Sequence, residues 1–195
     1  MNGDSYYKLA EQQPIELAQR LALDKAACSL AKASETVSDF IALLAQAGQL
    51  QAALAVLAHT LPKREAVWWS CVAVRFADPP IEGSDADNAI KAAERWVYHP
   101  TEETRQPIGA AAAKAGLGTP AGWAAMAAFW SGGSLAPPDM PIVPPADDLT
   151  AKAVTGATTL AGMQPDPNCA STHFIAFIRM ALDIARGGDG RHLSA

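Results

Sequence analysis

Leu61-Pro62-Lys63-Arg64-Glu65-Ala66-Val67-Trp68-Trp69-Ser70-Cys71-Val72-Ala73-Val74-Arg75 is the stretch on which the fold turns. It has no β-type alternation and is apolar almost all round, as expected of a helix at the centre of a helical domain. At about 100° per residue it resolves into two adjacent stripes. Arg64, Trp68, Cys71 and Arg75 form one; Glu65, Trp69, Val72 and Phe76 form the other. Ala66, Ser70, Ala73 and Ala77 make the opposite side small or polar. Trp68 therefore stands between two guanidiniums on its stripe, Arg64 one turn before it and Arg75 two turns after it. One reading is a packing helix whose arginines meet carboxylates from neighbouring helices, because buried charge needs a partner. The other is a half-buried pocket that presents Arg64, Trp68 and Arg75 to an acidic group on a ligand or partner. Packing is the stronger reading, since tryptophan supplies so much buried area.

The rest of the chain agrees with an all-α class. Of 195 residues, half are hydrophobic and about a fifth are alanine, which loses no side-chain entropy in a helix. Valine, isoleucine and threonine never gather into alternating runs. The net charge of −5 and the lack of a basic cluster argue against a nucleic-acid surface. The first residues lack the charged-then-apolar pattern of a signal peptide. The longest apolar run, residues 108–130, is broken by Lys114, four glycines and Pro120, so no membrane insertion is expected. Cys28, Cys71 and Cys169 are odd in number and far apart, which disfavours a disulfide framework or a zinc site. These features together suggest a cytoplasmic protein with small buried thiols.

Punctuation residues divide the chain. Residues 1–13 read as a flexible lead-in, and Pro14 opens a helix expected to run to about Ala33. Thr36 with Asp39 makes a capping box, and Gly48 a left-handed stop. Leu50, Ala53, Leu54, Leu57 and Leu61 give a third helix, expected to pair with the second across a short turn. The Trp-Trp helix follows. Ser84 and Asp87 cap a fifth, which His99-Pro100 stops. Thr101 opens a sixth, which Pro107 is expected to kink or restart. Thr119-Pro120 opens a seventh, residues 121–130. Trp123, Met126, Ala127 and Trp130 line one side of it, and alanines make up the rest.

Residues 131–146 are rich in proline and glycine and too long for an ordinary turn. Leu135, Met140, Ile142 and Val143 are apolar, so this loop is expected to lie along the helical surface. It reads equally as a stiff crossover or as a partner-binding strap. Pro138-Asp139-Met140-Pro141 lacks the basic flank of a PxxP ligand. Asp147 or Asp148 caps an eighth helix, and residues 171–186 form the last. The expectation is one domain, residues 14–187, of about eight or nine helices. They are stacked as antiparallel hairpins, in an irregular bundle or a short solenoid, with a frayed tail at 188–195.

Catalytic patterns are poor. His59, His99, His173 and His192 have no metal-ligand spacing, and Ser131-Gly132-Gly133-Ser134 has neither the preceding strand nor the lysine of a nucleophile or phosphate loop. No catalytic residue, cofactor or metal is assigned.

Three segments carry a resemblance: Leu61-Pro62-Lys63-Arg64-Glu65-Ala66-Val67-Trp68-Trp69; Phe129-Trp130-Ser131-Gly132-Gly133-Ser134-Leu135-Ala136-Pro137-Pro138; and Ala181-Leu182-Asp183-Ile184-Ala185-Arg186-Gly187. With them the chain resembles, over about residues 36–187, an uncharacterised bacterial family of helical proteins associated with type VI secretion gene clusters, near adaptor and effector proteins. The first 35 residues carry no such resemblance. It implies no catalytic residues. Together with the aromatic-rich helices and the long apolar loop, it points to an accessory or adaptor protein that binds another protein, such as a secretion adaptor or effector. The candidate contact residues are Arg64, Trp68, Arg75, Trp123, Trp130, Leu135, Met140 and Ile142. A small helical enzyme or ligand binder using the Arg64–Trp68–Arg75 stripe is the alternative, and a purely structural scaffold is a third. Oligomeric state is left open.

Overall fold

The computed structural model describes residues 6–137 and 139–191. Within them the chain forms ten α-helices and a short 3-10 turn at Pro167–Cys169, with no strand. The helices are α1 (Pro14–Arg20), α2 (Lys25–Lys32), α3 (Val37–Gln46), α4 (Leu50–Thr60) and α5 (Lys63–Ala77). They continue with α6 (Asp85–Tyr98), α7 (Glu102–Ala115), α8 (Pro120–Phe129), α9 (Leu149–Gly162) and α10 (Ala170–Ala185).

The extra helix comes from a break inside the stretch expected to run from Pro14 to Ala33. Ala22 adopts a left-handed φ of 50°. Its N–H donates to the Gln19 carbonyl, and that of Leu23 to the Ala18 carbonyl, each at 3.0 Å. This is the paired closure of a Schellman turn, made without the usual glycine. Asp24 then caps α2 by accepting from Ala27 N–H at 2.7 Å. Gly48, at φ 74°, closes α3 in the same way, with Gln49 N–H donating to Leu44 at 2.9 Å. The Thr36–Asp39 capping box is complete.

Pro107 neither stops nor restarts α7, which is continuous around it. The hydrogen bond it forfeits belongs to the Glu103 carbonyl; both residues are exposed, so solvent can serve that group.

The core centres on α5. Residues Ala66 to Val74 are all buried, so the helix is enclosed on every side through its middle, and only its ends reach solvent. It packs against α6, α8, α9 and α10. In turn α9 touches α4, α5, α8 and α10. A solenoid confines contacts to successive units; these helices instead wrap one centre, as a bundle. Trp69 is fully buried and donates from Nε1 to the Phe177 carbonyl of α10 at 2.9 Å. Burying that ring contributes at most about 4–6 kcal/mol of transfer free energy.

The segment before α1 lies against the bundle: Lys8 N–H donates to Ala185 at 3.2 Å and Ala10 N–H to Thr60 at 2.8 Å. After α10, Gly188 N–H donates to the Asp183 carbonyl and Gly190 N–H to the Asp183 carboxylate, both at 2.9 Å. His192 and the rest of the expected frayed end lie outside the described residues.

Candidate functional site

The stripe of Arg64, Trp68 and Arg75 does not converge on one pocket. Arg75 is committed to the interior: its Nε donates to Glu94 Oε1 at 2.7 Å and its Nη2 to Glu94 Oε2 at 2.9 Å. Asp87 lies 3.6 Å from its Nη1. Hydrogen bonding to Glu94 is the main reason its pKa is raised further. Asp87 is buried, and its carboxyl sits below the ordinary carboxylate range, first through Lys91 at 2.8 Å and then through Gly83 N–H. Arg64, at the other end, is exposed.

Trp68 lies between them and is mostly covered. Its Nε1 donates to the Asp189 carbonyl at 2.8 Å, Tyr98 meets it edge-on at 5.6 Å, and the Arg191 guanidinium stacks 4.5 Å from its ring centroid. The cation over Trp68 thus comes from the C-terminal segment rather than from Arg64 or Arg75. A shallow depression of about 250 Å³ lies beside it, lined by Arg64, Glu65 and Tyr98. Burial also pushes the Cys71 thiol far up, so it stays protonated. Only Cys71 of the three cysteines matches the expected buried thiol; Cys28 is half-buried and Cys169 exposed. Cys28 lies mid-way along α2, and Cys169 lies at the junction of the 3-10 turn with α10.

The second candidate surface begins on α8. Its alanines at 121, 124, 125, 127 and 128 are buried, whereas Trp123, Met126 and Trp130 are half-buried at the rim. Small side chains let α7 and α9 approach closely, which leaves the bulky stripe at the surface. Trp123 and Trp130 meet edge-on at 6.1 Å.

From Trp130 the chain enters the proline-rich loop, whose base is fastened by a residue the sequence did not single out. Arg105 of α7 is 3% exposed. Its Nη1 donates to the Phe129 carbonyl, and its Nη2 donates to the Ser134 carbonyl at 2.9 Å and to Glu102 at 2.7 Å. The guanidinium also lies 5.1 Å from the Phe129 ring centroid. Gly133 has a φ of 62°, and a Cβ there would collide with the Glu102 carboxylate and the Arg105 guanidinium. Ser134 Oγ accepts from Ala136 N–H and Val143 N–H, each at 3.1 Å, and Leu135 N–H donates to Val143 at 2.8 Å. Thr150 of α9 ties the other side by donating to the Trp130 carbonyl at 3.0 Å.

The loop is therefore pinched at its neck and open at its tip. Leu135 is half-buried, but Met140 is 57% exposed, Ile142 80% and Val143 50%. The expectation that all four lie along the helices is corrected at three of them. Three prolines in residues 141–145 stiffen the returning segment and take donors from it, so it stands off the bundle. The only sequence signal for the anchor was negative: an arginine inside an otherwise alanine-rich helix, where a buried cation must be answered.

Among the described residues, no three His, Cys, Asp or Glu side chains converge as a metal site would require, and no helix is long and apolar enough to cross a membrane.

No curated protein matches the chain, and no solved structure does. A family model described as "Family of unknown function (DUF6931)" matches residues 40–185. That span takes in α5, the Arg105 anchor, the pinched loop and all of α10, and the chain belongs to this family of unknown function.

Proposed function

We propose that the protein is a non-enzymatic accessory or adaptor that binds another protein through the tip of its proline-rich loop. The observation that supports this most is the outward display of Met140, Ile142 and Val143 on a loop whose neck is held by Arg105, Ser134 and Thr150. A stiff apolar tip loses little conformational entropy on docking, and each such side chain contributes about 1.5–3 kcal/mol when fully buried. Trp130 and Trp123 adjoin the neck and supply rigid aromatic surface of the kind that concentrates binding energy. The resemblance of the tryptophan and loop segments is the ground for placing the partner among type VI secretion components, as an adaptor or an effector. The competing use of the Arg64–Trp68–Arg75 stripe has less support, because Arg75 and the Trp68 indole N–H already have internal partners.

The test is co-purification from the native host under secretion-active conditions. Wild type is expected to retain a stoichiometric partner, and a triple variant Met140→Ser, Ile142→Ser, Val143→Ser to lose it while keeping its helical circular dichroism. Retention of the same partner by the triple variant, or none with wild type, overturns the reading.

A further inference from the structure

A groove of about 660 Å³ runs between α1, α4, the start of α5 and the first turns of α9, a volume in the range of small-molecule sites. It is not part of the loop tip, although its rim residues Asp147 and Asp148 follow directly after the loop. Leu61, Ala58 and Ala151 give it an apolar floor and are themselves buried. Charged groups stand around that floor. Lys152 is neutralised by Asp148 at 2.6 Å. Arg20 has only a neutral partner, the Gln12 side-chain oxygen at 2.7 Å, and neither Arg20 nor Lys63 has a carboxylate partner among the described residues. Against those two cations stands one further carboxylate, Asp147, so the groove carries a net positive charge of one in a chain whose net charge is −5.

His59 adds a polar wall. Its Nδ1 is 2.9 Å from the Ala55 carbonyl, which can only accept, so Nδ1 carries the proton and Nε2 is the ring nitrogen left for the groove.

An apolar floor under two cations without carboxylate partners is complementary to a molecule with an apolar body and a single negative end. We infer that this groove binds a small carboxylate with an apolar body, its carboxylate held by Arg20 and Lys63 and its body lying on Leu61, Ala58 and Ala151. A guanidinium takes a carboxylate in a fork of two hydrogen bonds, and the lysine adds a mobile point charge. The same chemistry is offered by a free acid and by the C-terminus of a peptide. Both are tried.

Octanoate, octanol, and a short apolar peptide ending in leucine, with either a free or an amidated C-terminus, are titrated into the full chain and followed by calorimetry. Either octanoate or the free-acid peptide is expected to saturate, at least tenfold tighter than its uncharged counterpart. The tighter of the two carboxylates identifies the source. The double variant Arg20→Gln, Lys63→Gln is expected to weaken that carboxylate tenfold or more. Asp147→Asn, which removes the opposing charge, is expected to tighten it. No saturation by either carboxylate up to about 10 mM overturns the inference. So does equal binding of the charged and uncharged ligands by the wild type, a comparison that needs no variant to fold. Failure here leaves the loop reading intact, because the triple loop variant changes no residue of the groove.

Discussion

At the scale of single residues, Arg105 is the side chain on which the candidate surface depends. It is buried, yet it serves two backbone carbonyls of the loop neck and a half-exposed carboxylate at once. Arg105→Ala leaves the Phe129 carbonyl without its side-chain donor and the Ser134 carbonyl with only Gln106 Nε2 at 3.3 Å, and it deletes the stacking on Phe129. It is expected to lower stability by about 2–4 kcal/mol, measured by urea unfolding, and to raise hydrogen exchange across residues 131–146 ahead of the rest of the chain. An unchanged exchange pattern would mean that Gln106, Ser134 and Thr150 hold the neck without Arg105. Nothing near Arg105 in sequence announces this role. Its partners Phe129 and Ser134 are more than twenty residues away, and only the packing of α7 on α8 brings them within reach.

Among the elements, the break between α1 and α2 shows where local signals fail. Most of the other helix ends fall near the expected positions because a chemically distinctive residue sits there: Thr36, Ser84, Thr101 and Thr119 at N-caps, Gly48, Gly116 and Gly187 just past C-termini. Ala22 carries no such mark, yet holds a left-handed conformation that costs a residue with a Cβ about 1 kcal/mol. Ala22→Gly is therefore expected to raise stability by about 0.5–1 kcal/mol in urea or thermal unfolding, and a loss of stability would show that the alanine methyl contributes packing there. Leu17 and Ala18 explain why the strain is accepted: both are buried, and turning the chain after them sets α2 beside α1. Proline misled in the opposite sense. Pro107 reads as a place where α7 kinks or restarts, but near the start of the helix and facing solvent it removes a single bond that water can replace, and the helix does not restart there.

For the whole molecule, stability should vary with pH on two limbs. Burial is the main reason that the His59 pKa lies below its ordinary 6.5, opposed by the hydrogen bond to Ala55. Below pH 6.5 the unfolded chain takes up a proton at this position before the folded chain does, so stability falls as pH drops from 6.5 towards the folded value. Asp87 and Asp148 have folded values below 3.8, so what they contribute is present above that pH and lost as pH falls through their folded values. His59→Gln is expected to flatten the first limb and leave the second, as read from unfolding midpoints between about pH 7.5 and 3. A first limb that persists in the variant assigns it to another group. The sequence by itself determined the helical class, most of the helix ends, the irregular stretch at 131–146 and the centrality of the Trp-Trp helix. These arise from propensity, capping chemistry and the period of apolar residues, all of which act within a few turns of chain. Only the tertiary structure decided that Arg75 turns inward to Glu94, that Arg191 rather than Arg64 covers Trp68, that the loop is pinched at Arg105 with its tip exposed, and that Arg20 and Lys63 share a groove. Each of these pairs groups distant in sequence, and burial sets their partners only once the helices have closed around α5.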